Sequence, residues 1–201
     1  MSKTYLALGD SYTIGQSVPV AERFPNQTAS LLLLDGIKLS TPEIIAQTGW
    51  TTGDLIVSIN STPPLKSNYD IVTLLIGVNN QYRHLSQTQY RDEFTILLNK
   101  SIVYAGYRKN RVFVLSIPDY SVTPFASGYP TALIASEIDS FNVINKQLAL
   151  SAGCSYLDIT ASSRQALNDP ALIASDGLHP SGKEYKKWAM LLAPLIKASL
   201  Q

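Results

Sequence analysis

A serine at position 11 and a histidine at position 179 are the side chains of this sequence best suited to covalent chemistry. Ser11 stands in Leu8-Gly9-Asp10-Ser11-Tyr12-Thr13, just past a short apolar run, Tyr5-Leu6-Ala7-Leu8, that reads as a strand. At the carboxyl end of a strand in an open α/β sheet, a side chain projects into the crevice where ligands bind. A serine there serves as a nucleophile only if a base reaches it. His179 lies in Ser175-Asp176-Gly177-Leu178-His179-Pro180-Ser181, with an aspartate three residues upstream. A loop of that length lets the Asp176 carboxylate accept from the imidazole Nδ1–H, which leaves Nε2 free as the base. Asn79, in Gly77-Val78-Asn79-Asn80, carries an amide donor that does not titrate. With the backbone N–H groups of Gly49 and Ser11, it could meet a developing negative oxygen. Each fragment also has a plainer use. Gly-Asp-Ser and Asn-Asn are turn chemistry, Gly49 is a turn glycine, and Asp-x-x-His is a capping pattern.

These residues are far apart in the chain, so the elements between them must bring them together. Apolar, β-branched runs place strands at 5–8, 44–46, 70–76, 111–117 and 155–159. Helices read at 25–34 (Pro25 in the first turn), at 54–59, from Ser86 to Gly106, at 131–152, and from Ser181 onward with Pro194 set to kink or end it. Ser86 with Gln89 and Ser181 with Glu184 have capping-box spacing. Strands alternating with helices imply right-handed crossovers and a five-stranded parallel sheet covered on both faces. Every strand-to-helix loop then lies on one edge of the sheet, where Ser11, Gly49 and Asn79 can converge. The segment 119–130 shows no period and reads as a long loop, a length more often functional than not.

The chain has 201 residues, 45% of them hydrophobic, which suits one domain spanning 1–201 rather than two enzymatic domains. A net charge of +1 without strong charge runs gives no reason to expect nucleic acid as a partner. The single cysteine, Cys154, excludes an internal disulfide and reads as a small buried hydrophobe. The longest apolar runs are too short to span a bilayer, so no integral membrane segment is expected. No signal peptide is visible, and a cytoplasmic location is the expectation. No histidine or cysteine pair has metal-ligand spacing, so neither metal nor cofactor is expected. His84 reads as a solvated loop residue. Oligomeric state is not legible.

Taken together, these blocks resemble the GDSL, or SGNH, hydrolase family. Gly9-Asp10-Ser11 matches the first block, with Tyr12 where leucine is common. Gly49 matches the second, Gly77-x-Asn79 the third, and Asp176-x-x-His179-Pro180 the last. Asn80 stands where the family usually has aspartate, which bears on a loop-bracing contact and not on the oxyanion donor. The resemblance implies a three-layer α/β/α sandwich of flavodoxin-like topology and hydrolysis of esters. Carried over by position, Ser11 is the nucleophile, His179 the base, and Asp176 the residue that orients it. The Ser11 and Gly49 amides and the Asn79 side chain form the oxyanion hole.

A small-molecule ester is the expected substrate: a short-chain or aryl ester, an acetylated sugar, a lysophospholipid or an acyl thioester. Tyr12, Trp50, Tyr82, Tyr120, Phe125 and Tyr129 are candidates for an apolar mouth. The rate is expected to rise with pH as His179 loses its proton. Two other classes stay open: a non-catalytic flavin- or nucleotide-binding module using the hydroxyl-rich first loop, and an inactive scaffold of the same fold.

Overall fold

The computed structural model describes residues 2–201. Five strands, β1 (Tyr5–Asp10), β2 (Glu43–Gln47), β3 (Ile71–Leu75), β4 (Val112–Leu115) and β5 (Ser155–Leu157), form one sheet in the order β2-β1-β3-β4-β5. Every pairing is parallel. This is the flavodoxin-like order, and its switch point lies between β1 and β3. The three central strands are buried along their whole length, whereas the edge strand β2 is only half-buried. Near-continuous apolar runs such as Ile71-Val72-Thr73-Leu74-Leu75 suit strands covered on both faces. The one polar residue in that run, Thr73, meets the Tyr5 hydroxyl at 3.2 Å.

Helices α2 (Phe24–Leu34) and α8 (Gly182–Leu200) pack together on one side of the sheet. Helices α3 (Thr52–Ser61), α5 (Gln87–Tyr104) and α6 (Thr131–Ser151) pack in series on the other, giving the three layers. Trp188 anchors α8. Its ring is fully buried edge-on to Tyr185, and its Nε1–H donates to Glu184 Oε1 at 2.7 Å. Among the described residues, no helix is long and apolar enough to cross a membrane.

The strands and long helices fall where the pattern places them, with shifted ends. Strand β5 stops at Leu157, two residues early, because the Asp158 carboxylate turns back to accept from the Thr160 N–H at 2.9 Å. Helix α3 starts earlier than expected, since Thr51 and Asp54 form a reciprocal capping box. The two predicted boxes form only by half. Ser86 and Ser181 accept from the backbone as expected, but Gln89 reaches forward to Glu93 and Glu184 to Trp188. Pro194 lies within α8 and does not end it. It sits on the exposed face, and Met190, whose carbonyl loses its in-helix partner, is exposed as well. Two short helices, α1 (Ser11–Ile14) and α4 (Val78–Tyr82), open directly off β1 and β3, and a third, α7 (Thr160–Ser163), follows β5.

Candidate active site

Ser11 owes its position to the tight junction between β1 and α1. Asp10 ends the strand, and its side chain caps the helix by accepting from the Tyr12 N–H at 3.0 Å. Gly9 lets this junction close against β3. A Cβ there would lie 2.1 Å from Thr13 Oγ1 and 2.3 Å from the Leu75 carbonyl oxygen. Asp10 is fully buried, and burial pushes its carboxyl up to about 7 against the pull of the Tyr12 N–H. Among the described residues, its Oδ2 has no hydrogen-bond partner. A phosphate at this loop would meet the Asp10 side chain, which already takes the Tyr12 N–H at the N-terminus of α1.

The histidine comes from a loop closed on itself. Ala174 N–H donates to the His179 carbonyl at 2.7 Å, and Ser181 N–H donates to the Leu172 carbonyl at 2.8 Å. Across this loop, His179 Nδ1 lies 2.7 Å from Asp176 Oδ2. The carboxylate fixes the Nδ1–H tautomer, so Nε2 is free to accept. Nε2 lies 2.9 Å from Ser11 Oγ, a contact between residues 168 apart in the chain. Both Ser11 and His179 are buried, and the Tyr12 ring packs on the imidazole at 5.0 Å between centroids.

Asp176 accepts four hydrogen bonds. Oδ1 takes the N–H groups of Leu178 and His179, each at 2.9 Å, and Oδ2 takes His179 Nδ1–H and the Ser17 hydroxyl, the latter at 2.6 Å. Partial burial works against its charge. The Ser17 hydroxyl and the three donors of its own loop outweigh that and hold the carboxyl well below the ordinary range. It is ionised wherever an imidazole can be neutral.

Ser11, Gly49, Asn79 and His179 line one cavity of about 140 Å³ at the sheet's switch point. The three proposed oxyanion donors therefore share a space with the serine hydroxyl. Asn79 Nδ2 donates one hydrogen to the Trp50 carbonyl at 2.9 Å, which fixes the amide and leaves its second hydrogen. Asn80 makes the loop brace that the missing aspartate left in question. Its Oδ1 accepts from the Thr52 N–H at 3.0 Å, and its Nδ2 donates to Thr52 Oγ1 at 2.6 Å. The Thr52 hydroxyl in turn donates to Glu93, so an amide at 80 supplies the proton that a second carboxylate could not.

Of the predicted mouth residues, Tyr12, Tyr82, Tyr120 and Phe125 line the cavity. Trp50 does not. Its ring packs against the hydrophobic core, and only its carbonyl faces Asn79. Tyr129 stacks on Phe125 from outside, with centroids 5.9 Å apart. The 119–130 segment is two short 3-10 turns tied to the histidine loop by Phe125 N–H donating to the Gly177 carbonyl at 3.0 Å. His84 is exposed, as expected. Cys154 is buried, and burial pushes its thiol up to about 11. Among the described residues, no group of three metal-ligating side chains comes together. Thr48, Val78 and Leu178 complete the lining. The sequence reading missed them and Ser17, although all but Ser17 are next to or near a predicted site residue.

Comparison with known proteins agrees with this architecture. Among curated proteins none matches by sequence. The solved structures it resembles include a lipase/acylhydrolase from Enterococcus faecalis, with TM-score 0.72 and 18% identity over 97% of this chain and 96% of that one. The lipase Lip_vut3 from a goat rumen metagenome matches with TM-score 0.78 and 20% identity, over 96% and 97% of the two chains. Axe2, an acetylxylan esterase from Geobacillus stearothermophilus, matches with TM-score 0.69 and 18% identity, over 98% and 94%. At such identities these likenesses speak for the fold. The family model for GDSL-like lipases and acylhydrolases matches residues 7–187, a span that takes in every residue of the site, and the chain belongs to that family.

Proposed function

We propose that this chain acts as one catalytic domain that hydrolyses carboxylic esters with a short, uncharged acyl group, through an acyl-enzyme on Ser11. One observation carries the reading: Ser11 Oγ, the His179 ring and Asp176 form an unbroken hydrogen-bonded series at 2.9 and 2.7 Å, opening on a cavity. In the acylation step, Ser11 Oγ attacks the ester carbonyl carbon while its proton passes to His179 Nε2. The Ser11 and Gly49 N–H groups and the Asn79 amide meet the oxyanion. His179 then gives its proton to the departing alkoxide. Water attacks the acyl-enzyme, loses its proton to Nε2, and the acid leaves as Oγ regains that proton. Ionised Asp176 faces the imidazolium at each stage and stabilises it.

The short-acyl preference rests on the size of the cavity and the nature of its walls. At about 140 Å³ it is lined, besides the reacting groups, by tyrosine, phenylalanine, valine, leucine and threonine, with no lysine, arginine or carboxylate. An ionic acyl group would lose its hydration there without a partner. The test is hydrolysis of p-nitrophenyl esters across acyl lengths, run beside Ser11→Ala. Turnover should be greatest for the shortest acyl groups and vanish in the variant. Retained turnover in Ser11→Ala would remove the mechanism, and a preference for long chains would remove the substrate assignment alone.

A further inference from the structure

We infer that Ser17 is a positioning residue, whose hydroxyl fixes the Asp176 carboxylate against His179 and ties the acid–base loop to the element bearing the nucleophile. The inference rests on the hydrolytic reading of Ser11, His179 and Asp176. A carboxylate offers about four acceptor sites. Three of those on Asp176 are filled from its own loop, by the Leu178 and His179 N–H groups and the His179 ring. The fourth is filled by Ser17, 159 residues away in the chain, at 2.6 Å. Among the described residues, it is the one bond to this carboxylate that reaches outside the loop.

Ser17 belongs to the turn that closes the nucleophile's helix. The N–H groups of Gly15 and Gln16 both donate to the Ser11 carbonyl, and the next residue is Ser17. The neighbouring Gln16 side chain accepts from Thr48 Oγ1 at 2.5 Å, on the loop that carries Gly49. One turn thus braces the oxyanion side with Gln16 and the acid–base side with Ser17. The backbone at Ser17 has φ 65, the left-handed region that a residue with a Cβ adopts at a steric cost. That outlier faces a candidate active site, where such strain tends to be retained for function. Ser17 is exposed, so water would solvate Asp176 Oδ2 in its absence. What water cannot supply is a fixed direction.

Ser17→Gly separates the hydroxyl from the backbone, because glycine takes positive φ without strain. With p-nitrophenyl acetate, kcat should fall about tenfold in both Ser17→Gly and Ser17→Ala, a loss typical of one hydrogen bond to a charged group, while KM stays within about twofold. The melting temperature of Ser17→Gly should exceed that of Ser17→Ala, since both lose the hydroxyl and only glycine relieves the positive φ. In an Asp176→Asn background the same glycine should change kcat by less than about twofold, since both substitutions act through one bond. A Ser17→Gly enzyme as fast as the parent would overturn the assignment, and so would a full loss that persists beside Asp176→Asn. Ser11→Ala in the same assay tests the underlying reading separately. Turnover that depends on Ser11 but ignores Ser17 removes only the role of Ser17.

Discussion

An oxyanion formed at Ser11 would meet, in Asn79, a donor whose other hydrogen is already bound. The bond from Nδ2 to the Trp50 carbonyl, at 2.9 Å, holds the amide in one orientation before any substrate arrives. A donor fixed in advance does not have to reorganise as charge develops. On the proposed mechanism, Asn79→Ala should lower kcat on p-nitrophenyl acetate by about 10² to 10³, with little change in KM. Steady-state kinetics check this. A loss confined to KM would mean that the side chain acts on binding instead of on the transition state.

At the scale of elements, the junction between β3 and α4 sets where Asn79 points. Gly77 has φ 132, and a Cβ there would lie 2.6 Å from the Tyr90 ring and 2.8 Å from Ile117 Cδ1. Tyr90 is itself packed against Phe141 at 4.7 Å between centroids, and its hydroxyl donates to the Ile76 carbonyl at 3.2 Å. Both neighbours, Tyr90 and Ile117, are fully buried. Gly77→Ala should therefore cost about 1–3 kcal/mol from backbone strain and overpacking together. It should also lower kcat, because α4 and Asn79 must shift with the junction. Urea unfolding reads the first effect and ester hydrolysis the second. Unchanged stability would mean that α5 or the segment after β4 yields more easily than its packing implies.

Across the whole molecule, two carboxylates pull stability in opposite directions along the pH scale. Buried Asp10 binds its proton more tightly in the folded chain than in the unfolded one, with a carboxyl raised from 3.8 to about 7. Between those values the folded state holds more protons, so its stability falls as pH rises through that window. Asp176 is lowered, so its contribution is present above the ordinary carboxylate range and is lost as pH falls below it. The maximum should lie on the acid side of neutrality. Asp10→Asn keeps an acceptor for the Tyr12 N–H and cannot ionise. Its melting temperature should vary less between about pH 5 and pH 7, the upper part of that window, than that of the parent. Equal slopes in thermal melts would show that Asp10 does not set the trend.

By itself the sequence determined the layered fold and the five residues of the proposed chemistry. Strands buried on both faces must be written as apolar runs, and the loops after parallel strands share an edge whatever their lengths. Ser11, Gly49 and Asn79 could be placed on that edge for this reason, and Asp176 could be paired with His179 across one short loop. Tertiary structure alone decided what depends on contacts between distant segments. Helices α1 and α4 are four and five residues long, too short to show a period. Gln89 and Glu184 left their predicted caps for neighbours one turn on, and the Trp50 ring turned to the core. Ser17 carries no local signal, because its partner lies 159 residues further along and only the folded chain brings them within 2.6 Å.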